Sequence, residues 1–267
     1  IGPATNSTYT PLTTASEVGD RWYFCVGYAT DNSCAQTNAD QTLASNAVQV
    51  SVSGTPTASN AGSPQTICNA SGATLGANTP TIGTGSWSVV SGPNTNTSQF
   101  TSLSDPGTLF TPAGGAGSYV LRWTISNSPC TPSTSDVTIT VNAQPTTSIA
   151  GGPQTICDGS GATLGANSPT IGTGAWSIVS GPSTSTAQFA GLSNPGTLFT
   201  PAGGAGSYVL RWTISNSPCT PSTSDVTITV NANPTTASAG SPQTICDGDG
   251  ATMGANTPTI GTGAWSV

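Results

Sequence analysis

The chain has 267 residues, of which 5% are charged; three arginines and ten acids give a net charge of −7, and Lys and His are absent. Three cations cannot assemble the basic patch that phosphate backbones or anionic lipid surfaces require, and no apolar run approaches the ~20 residues of a membrane span. With no His or Lys beside them, the many Ser and Thr have no side chain to activate them as nucleophiles, which argues against an enzyme.

The chain opens on Ile1 without an initiator Met or a signal peptide and reads as a processed or partial segment. Its first apolar runs are "TYTP" (8–11), "DRWYFCVGY" (20–28) and "NAVQVSV" (46–52). Short strands are then expected at "QTIC" (65–68), "ATLGA" (73–77), "SWSVV" (86–90), "SQFTSL" (98–103), "TLFTP" (108–112), "YVLRWTIS" (119–126) and "DVTITV" (136–141), separated by Gly, Pro, Asn and Ser. No stretch carries apolar residues at helical spacing, so the chain reads as all-β. Alternation places Tyr119, Leu121, Trp123 and Ile125 on one face of their strand and Val120, Arg122 and Thr124 on the other. Val137, Ile139 and Val141 point inward on the next strand, and Arg122 and Asp136 fall on outward faces as a surface ion pair. Trp87 and Trp176 lie centrally in apolar strands and read as core.

The chain then repeats itself. Residues 62–150 and 151–239 differ at 15 of 89 aligned positions, and 106–143 match 195–232 without a change. Cys68, Cys157 and Cys246 keep the 89-residue step, as do Trp87, Trp176 and Trp265. A period of that length suits a folding domain in a string better than a solenoid unit. Seven short strands per period predict tandem immunoglobulin-like (PKD-like) β-sandwiches. The expected divisions are a second half of a divergent Ig-like domain at 1–56, complete repeats at 57–145 and 146–234, and the first half of a further repeat at 235–267. The two end pieces, of 56 and 33 residues, together make one period. They read as a window on a longer tandem protein; the alternative is head-to-tail completion of one molecule by the strands of its neighbour.

"GGPQTICDGSGATLGANSPTIGTGAWSIVSGP" followed by "VLRWTISNSPC" resembles the PKD-like and Ig-like repeats of very large secreted surface proteins of Bacteroidetes-type bacteria. The resemblance covers almost the whole chain and is specific for a repeat class, not for one activity. It implies an extracellular chain at the cell surface that acts as an adhesin, stalk or fibre, with neighbouring repeats or further copies of itself as partners and no cofactor. The alternative is an array of carbohydrate-binding modules on a secreted glycan-degrading enzyme, which needs exposed, aligned aromatics.

Extracellular placement makes disulfides the natural reading of the cysteines. Cys68–Cys130 and Cys157–Cys219, each closing one domain, are the first choice; bonds between neighbours, such as Cys68–Cys219, are the alternative. Cys25 and Cys34 flank "VGYATDNS", which reads as a hairpin, and are expected to pair across it, leaving Cys246 to a partner elsewhere. With no His and no CxxC, a zinc site is not expected. "DGDG" (247–250) resembles part of a calcium loop, but the copies "NASG" (69–72) and "DGSG" (158–161) point to a polar turn and to no metal. "PAGGAG" (112–117, 201–206) lacks the following helix and Lys of a phosphate loop and reads as a flexible turn. Asn6, Asn69 and Asn96 stand in N-glycosylation patterns, and "SPCTPSTSD" (128–136, 217–225) suits O-linked sugars, which would supply solubility to so uncharged a chain.

Overall fold

The computed structural model describes residues 18–28 and 42–267. They belong to two compact units, Ile1–Val141 and Asn142–Val267. The "TYTP" run lies outside the described residues.

The first unit opens with two short antiparallel pairs. Strand β1 (Gly19–Tyr23) pairs with β4 (Val48–Val52), and β2 (Val26–Tyr28) pairs with β3 (Thr42–Ala44). A complete sandwich follows, built from β5 (Gln65–Cys68), β6 (Ala73–Thr74), β7 (Thr84–Ser91), β8 (Leu109–Phe110), β9 (Gly117–Ser126) and β10 (Ser133–Asn142). The main sheet runs β5-β10-β9-β7, and β6 and β8 form the small opposing sheet. The second unit repeats the arrangement with β11 (Gln154–Cys157), β12 (Ala162–Thr163), β13 (Thr173–Ser180), β14 (Leu198–Phe199), β15 (Gly206–Ser215) and β16 (Ser222–Asn231). Each complete repeat is an immunoglobulin-like β-sandwich in tandem with the next.

The long strands behave as their alternation predicts. Burial alternates residue by residue along β9, so that Tyr119, Leu121, Trp123 and Ile125 are fully enclosed. The register Leu121↔Val137 and Tyr119↔Ile139 brings the inward face of β10 beside them, and Trp87↔Trp123 brings in β7. Tryptophans 87 and 123 pack at 5.1 Å between centroids, and Trp87 stacks on Phe100. Phe110 meets Tyr119 edge-on. Such pairs add about 0.5–1.5 kcal/mol each beyond the area they bury. Both indole N–H groups are satisfied: Trp87 donates to the Asp105 carbonyl and Trp123 to that of Asn78. The second repeat reproduces every one of these contacts around Trp176 and Trp212.

One expected strand is different. "SQFTSL" begins inside a 3-10 turn, Thr97–Gln99, which is followed by one bridge from Phe100 to Phe110. The cause is Gln99, which is 3% exposed: its Nε2 donates to the carbonyls of Asn94 and Asn96, and its Oε1 accepts from the Ala113 N–H. A buried amide that has to satisfy itself on the local backbone wins over the β-propensity of its neighbours.

Residues 235–267 form no strand ladder, yet they keep the local bonds of the first half of a repeat. Thr235 Oγ1 accepts from the Thr259 and Ile260 N–H groups as Thr57 does from Thr81 and Ile82. Gln243 donates to the Thr252 carbonyl as Gln65 does to that of Thr74.

Candidate functional site

The cysteines, sugar acceptors and exposed faces are where function would be carried. The parallel pairing of β11 with β16 puts Cys157 level with Asn231, at the far end of a ten-residue strand, whereas Cys219 precedes that strand's first residue, Ser222. The two thus stand about 30 Å apart at 3.3 Å per residue, and a disulfide needs Cα atoms within about 7 Å. Closure of a repeat on itself through Cys157–Cys219 is therefore out of reach, and Cys157 is a free, exposed thiol. Cys130 is likewise free, its Sγ lying 3.4 Å from the Gly54 carbonyl, so Cys68–Cys130 is not formed either. Cys68 and Cys219 are each disulfide-bonded, and both are buried or nearly so.

Of the hairpin expected across "VGYATDNS", residues 29–33 lie outside the described residues. Strand β2 returns along Thr42–Ala44, which sets Ser45 opposite Cys25: the Cys25 N–H donates to Ser45 Oγ and its carbonyl accepts from the Ser45 N–H. Cys25 is a free thiol, and Cys34 lies outside the described residues. Cys246 is free and exposed.

Of the sugar acceptors, Asn6 lies outside the described residues. Asn69 sits in the turn after β5, beside Ala70, whose φ of 70° is the left-handed conformation. Asn96 is exposed and caps the 3-10 turn, accepting the Ser98 N–H on Oδ1; Ser185 does the same for Ala187 in the second repeat. A local structural role accounts for a polar residue at this position in both copies.

Trp87, Trp123, Trp176 and Trp212 are at most 2% exposed and offer no face to a sugar ring. The large exposed aromatics among the described residues are Trp22, Phe24 and Trp265. On the outer face of the main sheet, Arg122 forms a two-pronged pair with Asp136 at 2.7 and 2.8 Å, and Arg211 forms the same pair with Asp225. The guanidinium hydrogen bonds hold each aspartate below the ordinary carboxylate range.

The Gly-rich "PAGGAG" loop, expected to be a flexible turn, is tied down. The Gly114 N–H donates to Tyr119 Oη, which donates in turn to the Gly115 carbonyl. Asn127 Nδ2 donates to the Gly54 carbonyl, and Asn216 to that of Ala143, so each repeat grips the chain leading into its own first strand. Among the described residues no group of three or more His, Cys, Asp or Glu could hold a metal ion, and no helix is long and apolar enough to cross a membrane.

No family model matches the chain, and no curated protein matches it in sequence. Solved structures resemble it in fold. Extracellular domains 3–5 of Drosophila OTK align at 18% identity over 82% of this chain and 73% of theirs, with a TM-score of 0.45. Titin domains I67–I69 align at 12% identity over 67% of each chain, with a TM-score of 0.42. The insect immune protein hemolin aligns at 15% identity over 82% of this chain and 59% of its own, with a TM-score of 0.37.

Proposed function

We propose that this chain is an extracellular structural and adhesive repeat protein whose tandem sandwiches act as spacers in a stalk or fibre at a bacterial surface. The observation that carries this is the letter-for-letter match of 106–143 with 195–232. These residues build β8–β10 and β14–β16, and so supply most of the buried core and much of the main sheet's outer face in both copies. Copies that serve length have no need to diverge, whereas copies that each bind a different ligand do. The cysteines, being unable to close a repeat internally, serve in this reading to link different repeats or chains. N-linked sugars at Asn69 and Asn96 and O-linked sugars on "SPCTPSTSD" supply the hydration that 5% charge does not.

Electron microscopy of material from the native source tests the reading. Filaments or stalks with a repeat near the length of one sandwich, together with an intact mass above that of the bare chain, are expected; compact particles without such a repeat contradict it. Peptide mapping without reduction is expected to find neither 68–130 nor 157–219 linkages.

A further inference from the structure

The two cysteines of a repeat lie at its opposite poles, and each pole holds a different stretch of chain. In the second repeat Cys157 ends β11 level with Asn231, the last residue of β16. The turn that follows grips the outgoing chain: the Asp158 N–H donates to the Asn231 carbonyl, and Asn233 Nδ2 donates to that of Asp158. The other pole grips the incoming chain. Cys219 Sγ lies 3.5 Å from the Asn142 carbonyl oxygen and 3.3 Å from that of Ala143. Asn142 Nδ2 donates to the Ser217 carbonyl, and Asn216 Nδ2 to that of Ala143. The first repeat holds its own incoming chain in the same way, with Cys130 Sγ 3.5 Å from the Ser53 carbonyl oxygen and 3.4 Å from that of Gly54.

Asn142 precedes Asn231 by one period, as Cys68 precedes Cys157. Cys68 ends β5, which lies beside β10 as β11 lies beside β16, and β10 ends on Asn142. The chain that leaves one repeat is the chain that enters the next. Its asparagine thus has the first cysteine of one repeat in strand register and the second cysteine of the following repeat against its carbonyl. Neighbouring strands stand about 4.8 Å apart, which brings two such cysteines within the Cα separation of about 7 Å that a disulfide spans. At Asn142 the two are Cys68 and Cys219, each disulfide-bonded and at most 9% exposed. We propose that Cys68 and Cys219 bond each other, as a covalent strap from the first repeat to the second beside the peptide connector 142–144. The chemistry is thiol–disulfide exchange with an external disulfide. One S–S bond forms between the two Sγ atoms, their two electrons reduce the external disulfide, and their two protons pass to the thiolates that leave it. Neither cysteine belongs to a core cluster, so the strap adds a second covalent path without altering either core. The pairing rests on the placement of the cysteines and holds whatever the array serves.

The test takes the full 267-residue chain, reduced and then reoxidised with glutathione disulfide. Cleavage after aromatic residues and before aspartates leaves every cysteine on its own peptide. In the monomer fraction of a non-reducing gel, mass spectrometry should find the 68–219 linkage at least tenfold more abundant than any other pairing. Cys219→Ser should leave Cys68 reactive to maleimide in denaturant without reductant, and Cys68→Ser should do the same for Cys219. Both positions lie outside the cores, so each variant is expected to keep the circular dichroism of the parent chain. A bond from Cys68 or Cys219 to any other cysteine, Cys34 included, would overturn the proposal, as would a random mixture of pairings or two free thiols. So would a 68–219 linkage confined to disulfide-linked dimers, which would make a second copy the partner. Fibres in native material, or their absence, leave this outcome unchanged, so the strap and the spacer role fail separately.

Discussion

Single residues carry much of the specificity of this fold. Gly85 is a case where space decides: a Cβ there would lie 2.0 Å from the Trp123 ring, and Gly174 stands in the same relation to Trp212. Gly85→Ala forces the indole out of the centre of the core, and overpacking of this kind costs about 1–3 kcal/mol. A lowered urea midpoint with the slope unchanged is the expected outcome. Trp123→Ala should cost more, about 3–5 kcal/mol, because it leaves a cavity in the same place. The outer ion pairs act through pH. Each aspartate is held below its usual range, so its contribution is present at neutral pH and is lost only as the pH falls through the lowered value. Asp136→Asn with Asp225→Asn should therefore flatten the acid side of the stability profile, below about pH 4, and leave its shape between pH 5 and 9 unchanged. Both partners are well exposed, and the effect is expected to be small.

At the scale of elements, β9, β10 and their copies were fully legible, because period-two alternation over ten residues admits only one buried face. The turn at 97–99 was not, since its cause is one glutamine whose amide finds three backbone partners that only the folded chain brings together. Gln99→Leu removes those bonds and strands the Ala113 N–H; a cost of about 1–3 kcal/mol is expected, with faster amide exchange at Ala113 as the specific sign. The cysteine pairing failed for a related reason. Spacing alone allows a 68–130 bond, and only the parallel placement of the first strand along the last shows that the two sulfurs lie at opposite ends of the sheet. The Tyr119 clasp on "PAGGAG" was hidden in the same way: the sequence shows the glycines, and the fold shows the hydroxyl that holds them.

For the whole molecule, the 89-residue period read from the sequence coincides with one enclosed core per repeat, Ala61–Val141 in the first and Ala150–Val230 in the second. Among the described residues, no side chain from outside a repeat appears in its cluster. A separate core in each repeat is the property that the proposed spacer role requires. The most direct measurement is thermal unfolding of a single excised repeat, residues 146–234. A self-contained sandwich of this size should unfold in one cooperative step, with calorimetric and van't Hoff enthalpies equal and a stability of roughly 4–13 kcal/mol. A chain that shows no transition, or that melts only when a neighbouring repeat is restored, would contradict the account.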